Sequence, residues 1–245
     1  MRRYLLSLSC AVLVLGLAGC AGPRIEPGAD TVLRDMSAAL GGAEHLTIRG
    51  RSVFAGDERR GPGPTDTADA AVLVDRPDRL AQDVASGVGE RRAFYDGRTF
   101  TLLDVPGNAY ATIPGPATID ELVAMLEETY GLSLPLADFF VSDSRTRILS
   151  RVRHAGYVGK DDVDGVACHH LAFDEGTVVW ELWVSVDRNV PVRMVALGQV
   201  MDGRPGLGFD FTDVDLAAQH EESDFRFVPP EGARELRIER AVTGP

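Results

Sequence analysis

Apolar and polar side chains alternate with a period of two through most of this chain, in short runs separated by turn residues. The runs "HLTIRGRSVF" (45–54), "TADAAVLVDRP" (67–77), "DRLAQDVAS" (78–86), "GERRAFYDGRTFTLLDV" (89–105) and "NAYATIP" (108–114) predict strands. Asp96-Gly97, between Tyr95 and Arg98, predicts a two-residue hairpin turn. The alternation returns in "AGYVGKDDV" (155–163), "VACHHLAF" (166–173), "TVVWELWVSV" (177–186), "PVRMVALGQVM" (191–201) and "GLGFDFTDVDL" (206–216). These runs are joined through Asp164-Gly165, Glu175-Gly176, Asp187-Arg188-Asn189 and Asp202-Gly203, the pattern of an antiparallel meander.

Elsewhere the period becomes helical. Asp30 to Leu40 carries a stripe of Val32, Leu33, Met36, Ala39 and Leu40, with Asp30 placed to cap it and Gly41-Gly42 to stop it. Thr118-Ile119-Asp120-Glu121 has the form of a capping box, followed by Ile119, Leu122, Val123 and Leu126 at helical spacing and by Gly131. Pro135 opens a second helix, "PLADFFV", and "SRTRILSRV" (144–152) adds a further turn or two. With no βαβ alternation, these elements predict an α+β fold: one twisted antiparallel sheet with a central helical insertion.

The N-terminus changes the picture of where the fold resides. Arg2 and Arg3 precede the interrupted apolar run Leu5–Leu17, too short for a span of about 20 residues and of the form of a secretory signal. Leu17-Ala18-Gly19-Cys20 resembles a bacterial lipobox. The resemblance implies a signal peptide over 1–19 and lipidation of Cys20; the composition up to residue 28 reads as a tether, and the length of 29–245 suits a single domain. Several acyl chains on Cys20 would hold the protein to its membrane, which one chain alone does only marginally. Ala21 lacks the acidic side chain that favours inner-membrane retention in enteric bacteria, so an outer-membrane anchor facing the periplasm is expected.

Charge narrows the partners. Loss of Arg2 and Arg3 takes the 25 basic side chains to 23 against 37 acidic ones, a charge of −14. Such a surface repels nucleic acid and anionic headgroups at long range. Of three cysteines, Cys10 leaves with the signal and Cys20 carries lipid, so Cys168 has no intramolecular disulfide partner.

Candidate chemistry is sparse. The chain has no G-x-S-x-G, H-E-x-x-H, P-loop or dinucleotide-binding fingerprint, and neither a cofactor nor a metal is expected. "KDDVDG" places Lys160 and Leu171 where a calcium loop needs acidic ligands, and reads as a turn. "HEESD" at His220 reads as a solvated segment, and His45, His154 and His220 fall in no ligand spacing. In "GVACHHLAF", strand alternation puts Cys168 and His170 on one face and His169 on the other with Leu171 and Phe173, so the three cannot converge on one ion.

Several of these stretches, in this order, resemble a family of predicted periplasmic proteins with a fold similar to the lipoprotein carriers LolA and LolB. They are "RRAFYDGRTFTLLD", "NAYATIPGPATIDELVAMLEETYGLSLPLADFF", "GYVGKDDVDGVACHHLAF", "WELWV" and "FRFVPPEGA". The resemblance implies a strongly curved, incompletely closed barrel with helices covering its concave face, and marks Cys168 and His170 as a strand motif of no assigned role. Strand parity places Phe100 with Leu102, Trp180 with Leu182 and Phe209 with Phe211, with Leu122, Leu126, Phe139 and Phe140 able to roof them. These ten residues either line a cavity for a hydrophobic ligand, such as a lipid or lipoprotein acyl chain, or fill a solid core. The leading expectation is a non-enzymatic, lipid-anchored binder of such a ligand. The alternatives are an envelope interaction or sensor module, and a thiol- or metal-dependent hydrolase centred on Cys168 and His170.

Overall fold

Thirteen strands run through one sheet in this computed structural model, which describes residues 23–54, 67–200 and 204–240. In chain order the elements are β1 (Arg24–Ile25), α1 (Pro27–Gly42), β2 (His45–Phe54), β3 (Thr67–Asp75), β4 (Arg79–Ser86), β5 (Gly89–Tyr95), β6 (Thr99–Asp104) and β7 (Ala109–Pro114). The insertion follows as α2 (Ile119–Tyr130), α3 (Ala137–Phe140) and α4 (Ser144–Leu149). The chain then returns through β8 (His154–Val163), β9 (Val166–Asp174), β10 (Val179–Ser185), β11 (Pro191–Val200), β12 (Arg204–Asp215) and β13 (Arg234–Leu236).

The sheet order is β1-β8-β9-β10-β11-β12-β2-β3-β4-β5-β6-β7-β13. Two meanders, β2–β7 and β8–β12, are welded by antiparallel pairing of β12 with β2. The two end strands are short and pair in parallel, β1 with β8 and β13 with β7. Short edges leave little unpaired backbone for another chain to join. Register shifts at Tyr157/Gly159, Trp183/Val184, Ala196/Gln199 and Phe211/Asp213 break the ladders of β8–β12, and bulges of this kind bend a sheet and increase its twist. The curved sheet does not close, and the helices lie in its concavity.

That concave side holds the main core. The α1 stripe Val32, Leu33, Met36 and Leu40 and the α2 stripe Ile119, Leu122, Val123 and Leu126 are buried with Leu46, Ile48, Val72, Val74, Leu80 and Tyr95 of the sheet. Two close approaches need glycine. A Cβ on Gly50 would overlap the Phe209 ring and the Asp210 carbonyl, and one on Gly41 would overlap the Ser142 carbonyl.

Several local features differ from the pattern-based expectation. The tether expected over 20–28 is ordered from Arg24: Arg24 and Ile25 form β1, and α1 begins at Pro27 with Glu26 as N-cap. Asp30 therefore sits in the first turn, where it pairs with Arg145 and Arg34 rather than capping. The Asp96-Gly97 turn is a longer loop, because the Asp96 carboxylate accepts from the Arg98 and Thr99 amides at 3.0 and 2.8 Å. At Asp164 (φ 53°) and Gly165 (φ 86°) both turn residues are left-handed, the geometry that matches strand twist. α3 starts at Ala137, two residues after Pro135, from a left-handed Leu136 (φ 62°). The Asp202-Gly203 turn and Cys20 lie outside the described residues.

Candidate functional site

The ten side chains singled out as cavity residues all lie on the concave side. Phe173 stacks on Trp180 with centroids 4.0 Å apart, and Phe211 meets Phe139 and Phe209 edge-on at 4.9 and 4.8 Å. Leu122, Leu126, Phe140, Trp180, Leu182, Phe209 and Phe211 are consumed by this packing. Phe100, Leu102 and Phe139 pack into the same core and also line two clefts at its edge.

The clefts lie on either side of the loop 131–136, which joins α2 to α3. One, of about 210 Å³, is walled by Val84, Phe100, Leu102, Leu132 and Leu134, with Arg91 at its opening. Arg91 shares the concave face of β5 with Ala93 and Tyr95, and among the described residues it makes no ion pair; its neighbour Arg92 is held by Glu90 at 2.6 Å. The other cleft, of about 450 Å³, lies between Leu134, Leu136, Phe139 and Met194. Its charged rim is self-satisfied: Arg147 pairs with Asp138 at 2.7 Å and with Glu127 at 2.5 Å, and Arg151 with Asp138 at 2.6 Å. Ser133 and Leu134 line both spaces, so the loop is the wall between them.

Polar bonds hold that loop and the helices down. The buried Gln82 side chain donates to the Pro135 carbonyl at 2.6 Å. Arg76 donates to the carbonyls of Leu40, Ala43 and Phe140 at 3.2, 3.1 and 2.9 Å, tying the ends of α1 and α3 to the β3–β4 turn. Burial pushes the Arg76 pKa down, although Asp120 nearby opposes this.

The Cys168 motif has none of the geometry of an activated thiol. Cys168 is fully buried outside the main core, and its Sγ donates to the Val166 carbonyl. Burial, then the nearby Asp162 and Asp161 carboxylates, push the thiol pKa up, opposite to what a nucleophile needs. His170 stacks on Trp183 at 4.3 Å and has its Nε2 3.3 Å from Glu181. His169 turns to the concave side, where its Nδ1 is 3.0 Å from the Tyr157 hydroxyl.

A second constellation occupies the convex side. After β12 the chain runs back across β2–β7 as a strap, over 216–233, before joining the edge as β13. Phe227 packs on Phe94 and Tyr110 at 5.6 and 4.9 Å, and Phe225 is buried. His220, expected in a solvated segment, is instead almost wholly covered, with its side chain 3 % exposed. Its Nδ1 lies 2.6 Å from Asp75 Oδ1 and its Nε2 2.8 Å from Thr47 Oγ1. His45, directly opposite Asp75 in the β2–β3 ladder, brings its own Nδ1 within 2.7 Å of the same oxygen. The hydrogen bond to Asp75 raises the pKa of the half-exposed His45. Burial alone would raise Asp75, but its bonds to His220 and His45 outweigh that and leave it below the usual range. One donor atom from each of these three residues lies within 4.8 Å of the others, a set that could hold a metal ion. The β2–β3 pairing could have placed His45 opposite Asp75; nothing local announces His220.

The fold is thus an open half-barrel with helices in its concavity. Residues 29–239 match the predicted periplasmic protein family DUF2092, and the chain belongs to that family. The resemblance carried by the strand and helix motifs is thereby met, and the protein is one of the cell envelope. No curated protein has a significantly similar sequence. Among solved structures, an uncharacterized conserved protein from Thermus thermophilus is similar over 86 % of this chain and 99 % of its own, with 11 % identity and a TM-score of 0.54. More distant similarity is found to MucB in the Pseudomonas aeruginosa MucA/MucB complex (18 % identity, TM-score 0.44, 82 % of this chain and 61 % of that one). A LolA superfamily protein from Nitrosomonas europaea is likewise similar, with 10 % identity, a TM-score of 0.40, and 81 % and 97 % covered. These likenesses concern the fold. Among the described residues no helix is long and apolar enough to cross a membrane.

Proposed function

We propose that this protein is anchored to its membrane by lipid on Cys20 and binds the acyl chain of an anionic amphiphile in the cleft beneath the loop 131–136. The observation that carries the reading is the pairing of an apolar slot with a guanidinium at its opening that makes no ion pair among the described residues: Phe100, Leu102, Leu132 and Leu134 below, Arg91 at the rim. Apolar walls with a few placed polar groups are the usual composition of a small-molecule site. Arg91 supplies a local positive charge on an otherwise acidic surface, so it orients the headgroup outward while the chain enters the slot.

At about 210 Å³ the slot is smaller than typical ligand pockets of about 300–1,000 Å³. A whole lipid is therefore accommodated by joining the two clefts, which requires the loop 131–136 to withdraw. The Gln82–Pro135 bond is then the latch. It is a single hydrogen bond, worth about 0.5–1.5 kcal/mol net, so its loss costs little. Since Cys168 is buried and its thiol pKa raised, non-enzymatic binding is the better reading than hydrolysis.

Native mass spectrometry of the protein purified from its own envelope tests this. A co-purifying amphiphile, lost on replacing Leu134 by Trp, is expected. A protein that carries no ligand and takes none up from lipid extracts would overturn the reading.

A further inference from the structure

We propose that His45, Asp75 and His220 form a binding site for a divalent transition metal of the zinc class, pinning the C-terminal strap to the open end of the β2–β3 hairpin. The site stands apart from the concave clefts and does not depend on their reading.

The Nδ1 atoms of both imidazoles converge on one carboxylate oxygen, at 2.7 and 2.6 Å, so three side chains from two strands and the strap already face a common point. A cation between them would let each ring and the carboxylate supply one lone pair. Zinc takes nitrogen at about 2.0–2.1 Å and carboxylate oxygen at about 2.0–2.2 Å, which puts tetrahedral donors about 3.3 Å apart. That spacing requires the two nitrogen–oxygen separations to open by about 0.6–0.7 Å and the two nitrogens, which lie within 4.8 Å of each other, to come to the same distance, changes within reach of side-chain rotation.

The chemistry of the set selects the ion. Imidazole suits zinc, nickel and copper, whereas calcium and magnesium want an all-oxygen shell. The surroundings also match a ligand set. Thr47 holds the far nitrogen of His220, the kind of outer contact that fixes a ligating histidine's ring and tautomer. Phe225 packs edge-on against the same ring at 5.6 Å. Three protein ligands leave a fourth position, which opens to solvent beside His45, whose side chain is 44 % exposed.

The experiment is calorimetric titration of Zn²⁺ into the purified full chain in detergent, without an affinity tag and after chelator treatment, with thermal unfolding read alongside. Wild type is expected to bind one equivalent with a rise in Tm. His45→Ala, at a half-exposed position, is expected to fold yet lose both the binding and the rise. Thr47→Val keeps all three ligands and should weaken binding by about 10–100-fold. His154→Ala, remote from the site, should bind as wild type does. Absence of one-equivalent binding by wild type, or equal binding by wild type and His45→Ala, would overturn the assignment.

Discussion

At the scale of single residues, position rather than residue type decides what each side chain does. Gly50 is a packing glycine: its missing Cβ makes room for the Phe209 ring. Gly50→Ala is expected to cost about 1–3 kcal/mol, as overpacking does, measured by denaturant unfolding. Asp143 caps α4 by accepting from the Thr146 amide at 2.9 Å. Hydrogen bonds from Thr146, followed in effect by those from Ser37, hold its carboxyl below the usual range despite some burial. A lowered carboxyl contributes stability above its unfolded pKa and loses it as pH falls through the folded one. Asp143→Ala should therefore cost about 1 kcal/mol at pH 7, a difference that fades below about pH 4. Cys168 shows the same rule in reverse. Buried, and with its thiol pKa raised, it should resist alkylation at pH 8 in the folded protein and react at once in denaturant; fast native labelling would contradict its placement.

At the scale of elements, what was legible in the chain is what local pattern encodes. Period-two runs such as "VACHHLAF" and turns such as Asp164-Gly165 need no distant partner to be recognised, and they became β9 and the hairpin leading into it. Thr118 likewise began α2 by accepting from the Glu121 amide, while the Glu121 carboxylate takes the Ala117 amide and so closes the cap one residue earlier than a capping box would. Arg24-Ile25 escaped notice because a two-residue parallel strand is made only by the partner it finds, here His154 and Ala155. His220 escaped for the same reason: its partners lie 145 and 173 residues away in sequence. Arg76 illustrates how such remote contacts bind elements together. Its guanidinium serves three carbonyls at the ends of α1 and α3. Arg76→Met should destabilise the fold by about 1–3 kcal/mol by leaving those acceptors unpaired. Hydrogen exchange should then show α1 and α3 loosening ahead of β3–β6, and uniform loosening would argue against this role.

At the scale of the whole molecule, the sheet works as a gutter closed on one side by helices and on the other by the C-terminal strap. The hydrophobic residues that parity and the helices suggested as cavity walls pack into one core, most of them against one another. Parity reports which face a side chain takes and says nothing of how tightly the opposite layer descends on it. Among the described residues, two clefts lie where the loop 131–136 meets β4–β6 and β11, and Phe100, Leu102 and Phe139 are the members of the ten that line them. Arg91 was missed because its role depends on standing at the rim of one of them. The central claim is that this cleft holds an acyl chain with its anionic head at Arg91. Equilibrium binding of a fluorescent long-chain fatty acid to wild type, Leu102→Trp and Arg91→Glu measures it most directly. The account predicts saturable one-site binding by wild type and at least a tenfold loss in each variant, with unfolding midpoints near that of wild type; binding unchanged by both substitutions would contradict it.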